Sequence, residues 1–426
     1  DMLRVFFEKT PEDTSIYFKD KYIWQCGDYY TKHQGQYPVI FLSFKDIKCS
    51  CWHETFQKIS KLISLEFMRH DELESSTVLS SYEKEQYHRF ASEGMNEVDC
   101  QMGLQLLSLL LHKHYGKECV IIIDEYDTPI QQGHLCDFYI DIVNFMRNFF
   151  SGGLKDNPHL AFGFLTGILR VAKESIFSGM NNLKTNSILD DSYSSYFGFT
   201  KDEVKDMLEY YGYEDKYQEI CEWYDGYRFG DADVYCPWDV INHVELLCKD
   251  SKAEPKCYWI NSSGNSLVKR FISKANKTTR DEIERLIAGE PIEKSVRLEL
   301  TYDEIDNSID NIWSVLFTTG YLTKVGMTEQ GAYKLVIPNK EVREVYKLQI
   351  QEWFGEKLRD NTEQLSAFWE SIETGNTEAV EKYLNRTLSN SISVFDTKAP
   401  EREKESSYHT LLVGLLTGNT DWVVRS

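Results

Sequence analysis

The sequence predicts an α/β fold built on a parallel sheet, and three observations carry that expectation. Val120-Ile121-Ile122-Ile123 is an uninterrupted β-branched run that ends in Asp124-Glu125. Such a run suits a strand buried on both faces, as when helices cover both sides of a parallel sheet. Pro38-Val39-Ile40-Phe41-Leu42-Ser43-Phe44 and Leu160-Ala161-Phe162-Gly163-Phe164-Leu165-Thr166-Gly167 are two further strand candidates. Helical segments separate all three, so the order is helix, strand, helix, strand, helix, strand, the signature of βαβ units.

Taken in order, residues 1–8 read as amphipathic-helix material, and an aromatic, turn-rich connection leads to the strand at 38–44. Residues 53–70 set Phe56, Ile59, Leu62, Ile63 and Phe67 on one helical face. In 98–115, Val98, Met102, Leu106, Leu109 and Leu110 form the expected apolar face of a second helix. A third helix, 138–150, carries Ile142, Phe145, Met146 and Phe149. Gly152-Gly153 and Pro158 are expected to break the chain before the last strand.

Acids at the carboxyl end of a buried parallel strand sit where α/β sheets bind ligands. The chemistry this suggests is nucleotide hydrolysis. Asp124 would hold the Mg²⁺ of a bound nucleotide, usually through water, and Glu125 would orient and deprotonate the attacking water. The bland alternative is a core strand followed by an acidic solvated turn that Pro129 closes. Thr166, at the tip of the neighbouring strand, could sense the γ-phosphate or the attacking water, although a threonine that merely ends a strand is the commoner case. Arg170, one helical turn on, either neutralises phosphate charge or is a surface arginine.

The 426 residues allow about two to four domains at ~100–200 residues each. Hydrophobic residues make up 42% and aromatics 14%, enough for sizeable cores. A formal net charge of −21 disfavours a chain-wide electrostatic grip on nucleic acid or anionic lipid. Ten scattered cysteines, with a lone Cys49-Ser50-Cys51 and no CxxC pair, fit neither a disulfide framework nor a zinc site. They read as reduced thiols in a cytoplasmic protein. No apolar run approaches the ~20 residues of a membrane span, and no signal peptide opens the chain. Both ends read as cut, so a fragment is expected.

From about residue 198 the texture changes to short helices. Thr200-Lys201-Asp202-Glu203, Thr279-Arg280-Asp281-Glu282 and Thr301-Tyr302-Asp303-Glu304 match the capping-box pattern. Between the first two, Trp223-Tyr224-Asp225-Gly226-Tyr227-Arg228-Phe229-Gly230 predicts a tightly packed connection, and Pro237 predicts a helix start. Arg228 is a structural arginine first and a nucleotide contact second. Residues 308–346 contain a helix stopped at Gly320, a hairpin around 326–331 and a helix restarting at 340, the parts of a winged helix. Glu341 and Glu344 beside Lys340 and Arg343 do not suit a phosphate-facing surface, so a structural or regulatory wing is expected. Residues 361–390 give two more amphipathic helices. After the charged 397–405 stretch, Tyr408-His409-Thr410-Leu411-Leu412-Val413-Gly414-Leu415-Leu416 opens a further apolar helix.

These segments resemble a family of bacterial and archaeal proteins called AAA-ATPase-like, which often carry a C-terminal nuclease domain of the PD-(D/E)XK type. The similarity runs in order across about residues 1–350. It includes Val120–Ile130, Phe164-Leu165-Thr166-Gly167-Ile168-Leu169-Arg170-Val171, Trp223–Gly230, Trp259-Ile260-Asn261-Ser262-Ser263, Thr319-Gly320-Tyr321-Leu322 and Ile337-Pro338-Asn339-Lys340-Glu341-Val342. The resemblance implies a P-loop NTPase-type core at 1–197, a helical lid at 198–300, a winged-helix-like domain at 301–350 and a helical linker at 351–405. A nuclease-like domain would begin at 406–426. It also implies ATP and Mg²⁺ as cofactors, with Asp124 and Glu125 as the metal (Walker B) and water-activating acids and Thr166 at the sensor position. The family's N-terminal strand and phosphate-binding loop are missing from these residues. Gly116-Lys117-Glu118, the only Gly-Lys pair, lacks the hydroxyl residue and precedes a strand. Nucleotide is the expected partner, nucleic acid is expected only through residues beyond Ser426, and a homo-oligomer is left open. The 426 residues by themselves are expected neither to bind ATP tightly nor to cut nucleic acid. A scaffold that kept the fold and lost the chemistry is the alternative.

Overall fold

Residues 1–92, 94–168, 176–177, 183–259, 266–305, 307–360, 362–390 and 416 are described by a computed structural model of the protein. The chain divides into two units: Asp1–Lys184 with Leu298–Asn307, and Thr185–Arg297 with Ser308–Ser426. The return of 298–307 to the first unit has no counterpart in the sequence pattern. Arg170 and the 397–405 run fall outside the described residues, as does the 408–416 helix except for Leu416.

In the first unit, strands β1 (Val39–Ser43), β2 (Cys119–Asp124) and β3 (Leu160–Leu165) pair in parallel with β2 in the middle. Residues 119–123 are all buried, none more than 5% exposed, as the unbroken apolar run requires. Each of those aliphatic side chains contributes roughly 1.5–3 kcal/mol by leaving water. Helices α1 (Met2–Phe7), α2 (Trp52–Arg69), α3 (Ser81–Ala91), α4 (Glu97–Tyr115), α5 (Thr128–Leu135) and α6 (Tyr139–Leu154) complete the unit's main elements.

The outer edge of β1 is closed by side chains and by the chain's own start. Glu66 of α2 accepts a hydrogen bond from Phe41 N at 2.7 Å, and Arg69 Nη2 donates to Val39 O at 2.5 Å. Next to them Tyr37 N donates to Phe7 O, and Lys9 N donates to Tyr37 O. On the far side, β3 leaves Ala161 and Phe162 exposed.

Three helical expectations change. In α4, Val98 and Met102 are exposed, while Cys100, Leu104, Leu107, Leu110 and Leu111 are buried. With apolar residues on nearly every side of 104–111, periodicity could not select the face, and packing against neighbouring helices did. Helix α6 runs through Gly152-Gly153 rather than breaking there. A Cβ on Gly153 would stand 2.7 Å from Leu104 Cβ, so the glycine is what lets α6 and α4 touch. Pro129 opens α5 instead of closing a turn, because the first helical positions need no backbone N–H.

In the second unit, α7 (Lys201–Tyr211), α8 (Tyr217–Tyr224) and α9 (Pro237–Lys249) share a core containing Val204, Leu208, Tyr224, Val240 and Val244. The capping box on Thr200 forms, and in the 298–307 segment of the first unit so do reciprocal bonds between Thr301 and Glu304. The one expected on Thr279 does not. Asn276 caps α11 (Lys277–Ile287), which follows α10 (Ser266–Lys274), and Thr279 lies inside its first turn. The aromatic connection becomes a two-stranded hairpin, β4 (Tyr227–Phe229) and β5 (Ala232–Val234). Strand β6 (Ile292–Lys294), helix α12 (Ile309–Thr318), strands β7 (Thr323–Met327) and β8 (Tyr333–Val336), and helix α13 (Lys340–Asp360) follow. The antiparallel sheet has the order β6-β8-β7, so a third strand joins the expected hairpin. Helices α14 (Thr362–Glu373) and α15 (Thr377–Asn390) are the last ones described.

Gly226 explains the density of this second core. Its φ is +100°, and a Cβ there would lie 2.0 Å from Pro338 O. Beside it Asn339 Nδ2 donates to Asp225 O, while Asn339 Oδ1 accepts from Val342 N in the first turn of α13. Gly226→Ala is expected to destabilise this unit by about 3 kcal/mol or more, through backbone strain and the clash together. A fall in the denaturant midpoint at unchanged m-value checks it.

Candidate functional site

The carboxyl ends of the three parallel strands meet at one edge of the first unit's sheet. Register places Ser43 beside Asp124 and Ile123 beside Leu165, so the chain leaving β2 and the chain leaving β3 run side by side. Asp124 and Glu125 emerge there half-buried, directly after five fully buried residues.

Glu125 adopts a left-handed backbone, φ +51°, uncommon for a residue that is not glycine. This turns the chain sharply into α5, and Thr128 Oγ1 then donates to Glu125 Oε2 at 3.1 Å. The exit of β3 is bound to the same turn. Thr166 N donates to Ile123 O at 2.9 Å, and Tyr126 N donates to Thr166 O at 3.1 Å. The Thr166 hydroxyl donates to Asp124 Oδ1 and accepts from Glu125 N at 3.4 Å. The structure therefore brings Asp124, Glu125 and Thr166 together.

One acid was missed. Asp127 is 2% exposed and its Oδ2 accepts from Ile168 N at 2.9 Å. The third acid of Asp124-Glu125-Tyr126-Asp127, just before Thr128-Pro129, was the available signal. Tyr126 is also buried, edge-on to Phe150 and Phe177.

The other predicted positions lie elsewhere. Arg228 is in β4 of the second unit, where its guanidinium lies 3.7 Å from Asp231 and 3.9 Å from Asp233. Its backbone N–H donates to Thr323 Oγ1 at 3.0 Å. Gly116 is the left-handed cap of α4, and Lys117 Nζ sits 4.8 Å from the Tyr37 ring centroid. That is the amino end of β2, ~16 Å of strand away from Asp124, so this Gly-Lys pair cannot serve the acids.

Carboxylate and hydroxyl oxygens are the hard donors that Mg²⁺ takes. Among the described residues no three His, Cys, Asp or Glu side chains converge to hold a metal ion alone. No helix among the described residues is long and apolar enough to cross a membrane.

A protein of Azotobacter chroococcum mcd 1 described as "Uncharacterized protein in vnfD 5'region" is 28% identical over 239 residues. The match covers 54% of this chain and 42% of that protein, so the chain spans about two fifths of the length of the curated relative it matches. Residues 1–177 match the sequence profile of the AAA-ATPase-like family, whose description is "Predicted AAA-ATPase". Over the segment that carries Asp124, Glu125, Asp127 and Thr166, this chain is similar to predicted AAA-ATPases.

Proposed function

We propose that the complete protein is a regulatory ATPase of the AAA/STAND type that hydrolyses ATP with Mg²⁺. The observation that carries this reading is the meeting of Asp124 and Glu125 with the Thr166 hydroxyl where parallel β2 and β3 end. The family match over the same residues supports it. Asp124 would hold Mg²⁺ through water, and the ion when bound would offset negative charge on the phosphate oxygens. Glu125 orients a water and takes its proton as the water oxygen bonds to the γ-phosphorus. The bond from that phosphorus to the β–γ bridging oxygen breaks, and ADP and phosphate leave. Thr166 reports the state of the site through its contacts with Asp124 and the Glu125 N–H.

The phosphate-binding loop would come from residues outside 1–426. Residues 198–300 would form a helical lid domain and 301–350 a winged-helix-like domain, with Arg228 mainly structural. The executing part would be a nuclease domain of the PD-(D/E)XK type beyond Ser426, acting on nucleic acid. In the full-length protein, Glu125→Gln is expected to lower ATP turnover by about 100-fold or more while nucleotide binding persists. Unchanged hydrolysis removes the catalytic assignment of Glu125, whereas no ATP turnover by the wild-type protein favours the inactive scaffold. Glycerol-gradient or light-scattering mass with and without ATP tests a homo-oligomer.

A further inference from the structure

We propose that Asp127 is a positioning residue: it clamps the Thr166–Ile168 exit of β3 onto the acid-bearing turn, so that the Thr166 hydroxyl stays on Asp124. The inference rests on the ATPase reading and assigns the geometry of its site to a residue that touches no reacting atom.

Asp127 occupies the N-cap position of α5, where an aspartate ordinarily accepts from an N–H two or three residues on. Its carboxylate makes no such cap bond. It turns instead to Ile168 N, 41 residues away on the neighbouring strand's exit. A buried carboxylate is costly to keep unless hydrogen bonds compensate it, so this contact is a strong local constraint. Gly167 makes the approach possible. A Cβ there would stand 2.7 Å from Asp127 Oδ1 and 2.7 Å from Tyr126 Cε1, so the bare backbone rests against both side chains.

Thr166 is consequently held from two directions. Its own N–H and C=O bond Ile123 O and Tyr126 N, and the residue two positions on is tied to Asp127. With the second tie released, the loop could pivot about the first, and the hydroxyl would leave Asp124 and the Glu125 N–H. Displacements of about 1 Å in a reacting constellation can cost 100-fold in rate.

The test uses the full-length protein, with Asp127→Ala, Asp127→Asn and Gly167→Ala beside wild type. Its readouts are kcat and KM for ATP, thermal midpoint, and hydrogen–deuterium exchange over residues 160–168 without nucleotide. Asp127→Ala is expected to speed exchange at 166–168 and to lower kcat about 10- to 100-fold, with KM within about threefold. Asp127→Asn keeps an acceptor for Ile168 N and should restore protection and most of kcat. Gly167→Ala pushes the loop off the carboxylate without altering it. It should reproduce the Asp127→Ala signature, and it serves if that variant fails to fold. Unchanged exchange and kcat in both alanine variants overturn the clamp, as does an Asn variant as impaired as Ala. If Glu125→Gln is inactive while Asp127→Ala is fully active, the clamp fails alone. If the wild-type protein turns over no ATP, the ATPase reading fails, and exchange still decides whether Asp127 holds the loop.

Discussion

Arg69→Met is expected to destabilise the first unit by about 3–5 kcal/mol, the usual cost of removing one partner from a buried ion pair. Arg69 donates to both Glu66 oxygens, through Nε at 2.9 Å and Nη2 at 2.7 Å, and to Glu8. Its removal leaves the buried Glu66 carboxylate without its main counter-charge and Val39 O without that donor. Adding Glu66→Gln should recover part of the loss, a coupling that a double-mutant cycle in urea measures. The same network sets a pH window. Burial pushes Glu66 and Glu72 upward, but hydrogen bonds from Arg69 and His70 to Glu66, and from His70 to Glu72, overcome it. Glu66 ends below its ordinary value and Glu72 falls to about 2. Burial disfavours charged His70, yet the Glu66 and Glu72 carboxylates raise it above 6.5. The carboxylates' stabilisation is present above the unfolded value of 4.5 and is lost as pH falls through their folded values. That of His70 is full below 6.5 and is lost as pH rises through its folded value. Stability from this network should therefore be greatest between 4.5 and 6.5, and Arg69→Met should blunt the acid limb.

Glu341→Gln is expected to act in the opposite sense and stabilise the second unit at alkaline pH. Glu341 and Asp239 are both buried and share a hydrogen bond, and Glu341 also accepts from Trp259 N at 2.7 Å. Burial first, and then the Asp239 charge, push the Glu341 carboxyl up to about 8; burial likewise raises Asp239. The groups facing the pair include the Cys236 thiol on Asp239 and the Tyr258 phenol, with His243 one helical turn along α9. Burial lowers His243 below its ordinary value, which disfavours the charge that would offset the pair. The unfolded chain releases the Glu341 proton near 4.5 and the folded one near 8, so stability falls with rising pH across that interval. The loss is on the order of 4 kcal/mol by pH 8. Glutamine keeps an acceptor for Trp259 N, adds a donor for Asp239 and removes the titration. Thermal midpoints of the two proteins should converge near pH 4.5 and separate by pH 8, with the variant higher.

Features specified by neighbours in sequence were legible, and features made by distant pairs were not. The β2 strand announced itself because burial on both faces leaves no polar alternation, and Thr166 followed from its place at the end of the next strand. The Asp127–Ile168 bond could not be read, since it joins residues 41 apart through a loop approach that only Gly167 permits. Gly152-Gly153 misled for a related reason: glycine breaks helices by local propensity, whereas here helix–helix contact repays the loss. Thr279 misled because Asn276, three residues earlier, was a competing cap of equal quality. The Asp239–Glu341 pair joins α9 to α13, and nothing local in either helix distinguishes those acids from solvated ones.

The treatment of β1 makes the first sheet a template with a direction. Side chains of α2 and the backbone around Tyr37 occupy hydrogen-bonding groups along its outer edge. A strand added to this sheet, from whatever source, is steered away from that side and toward β3. If added in parallel, it would end next to Thr166. The margin opposite that occupied edge is the one at which Thr166 meets the acidic turn.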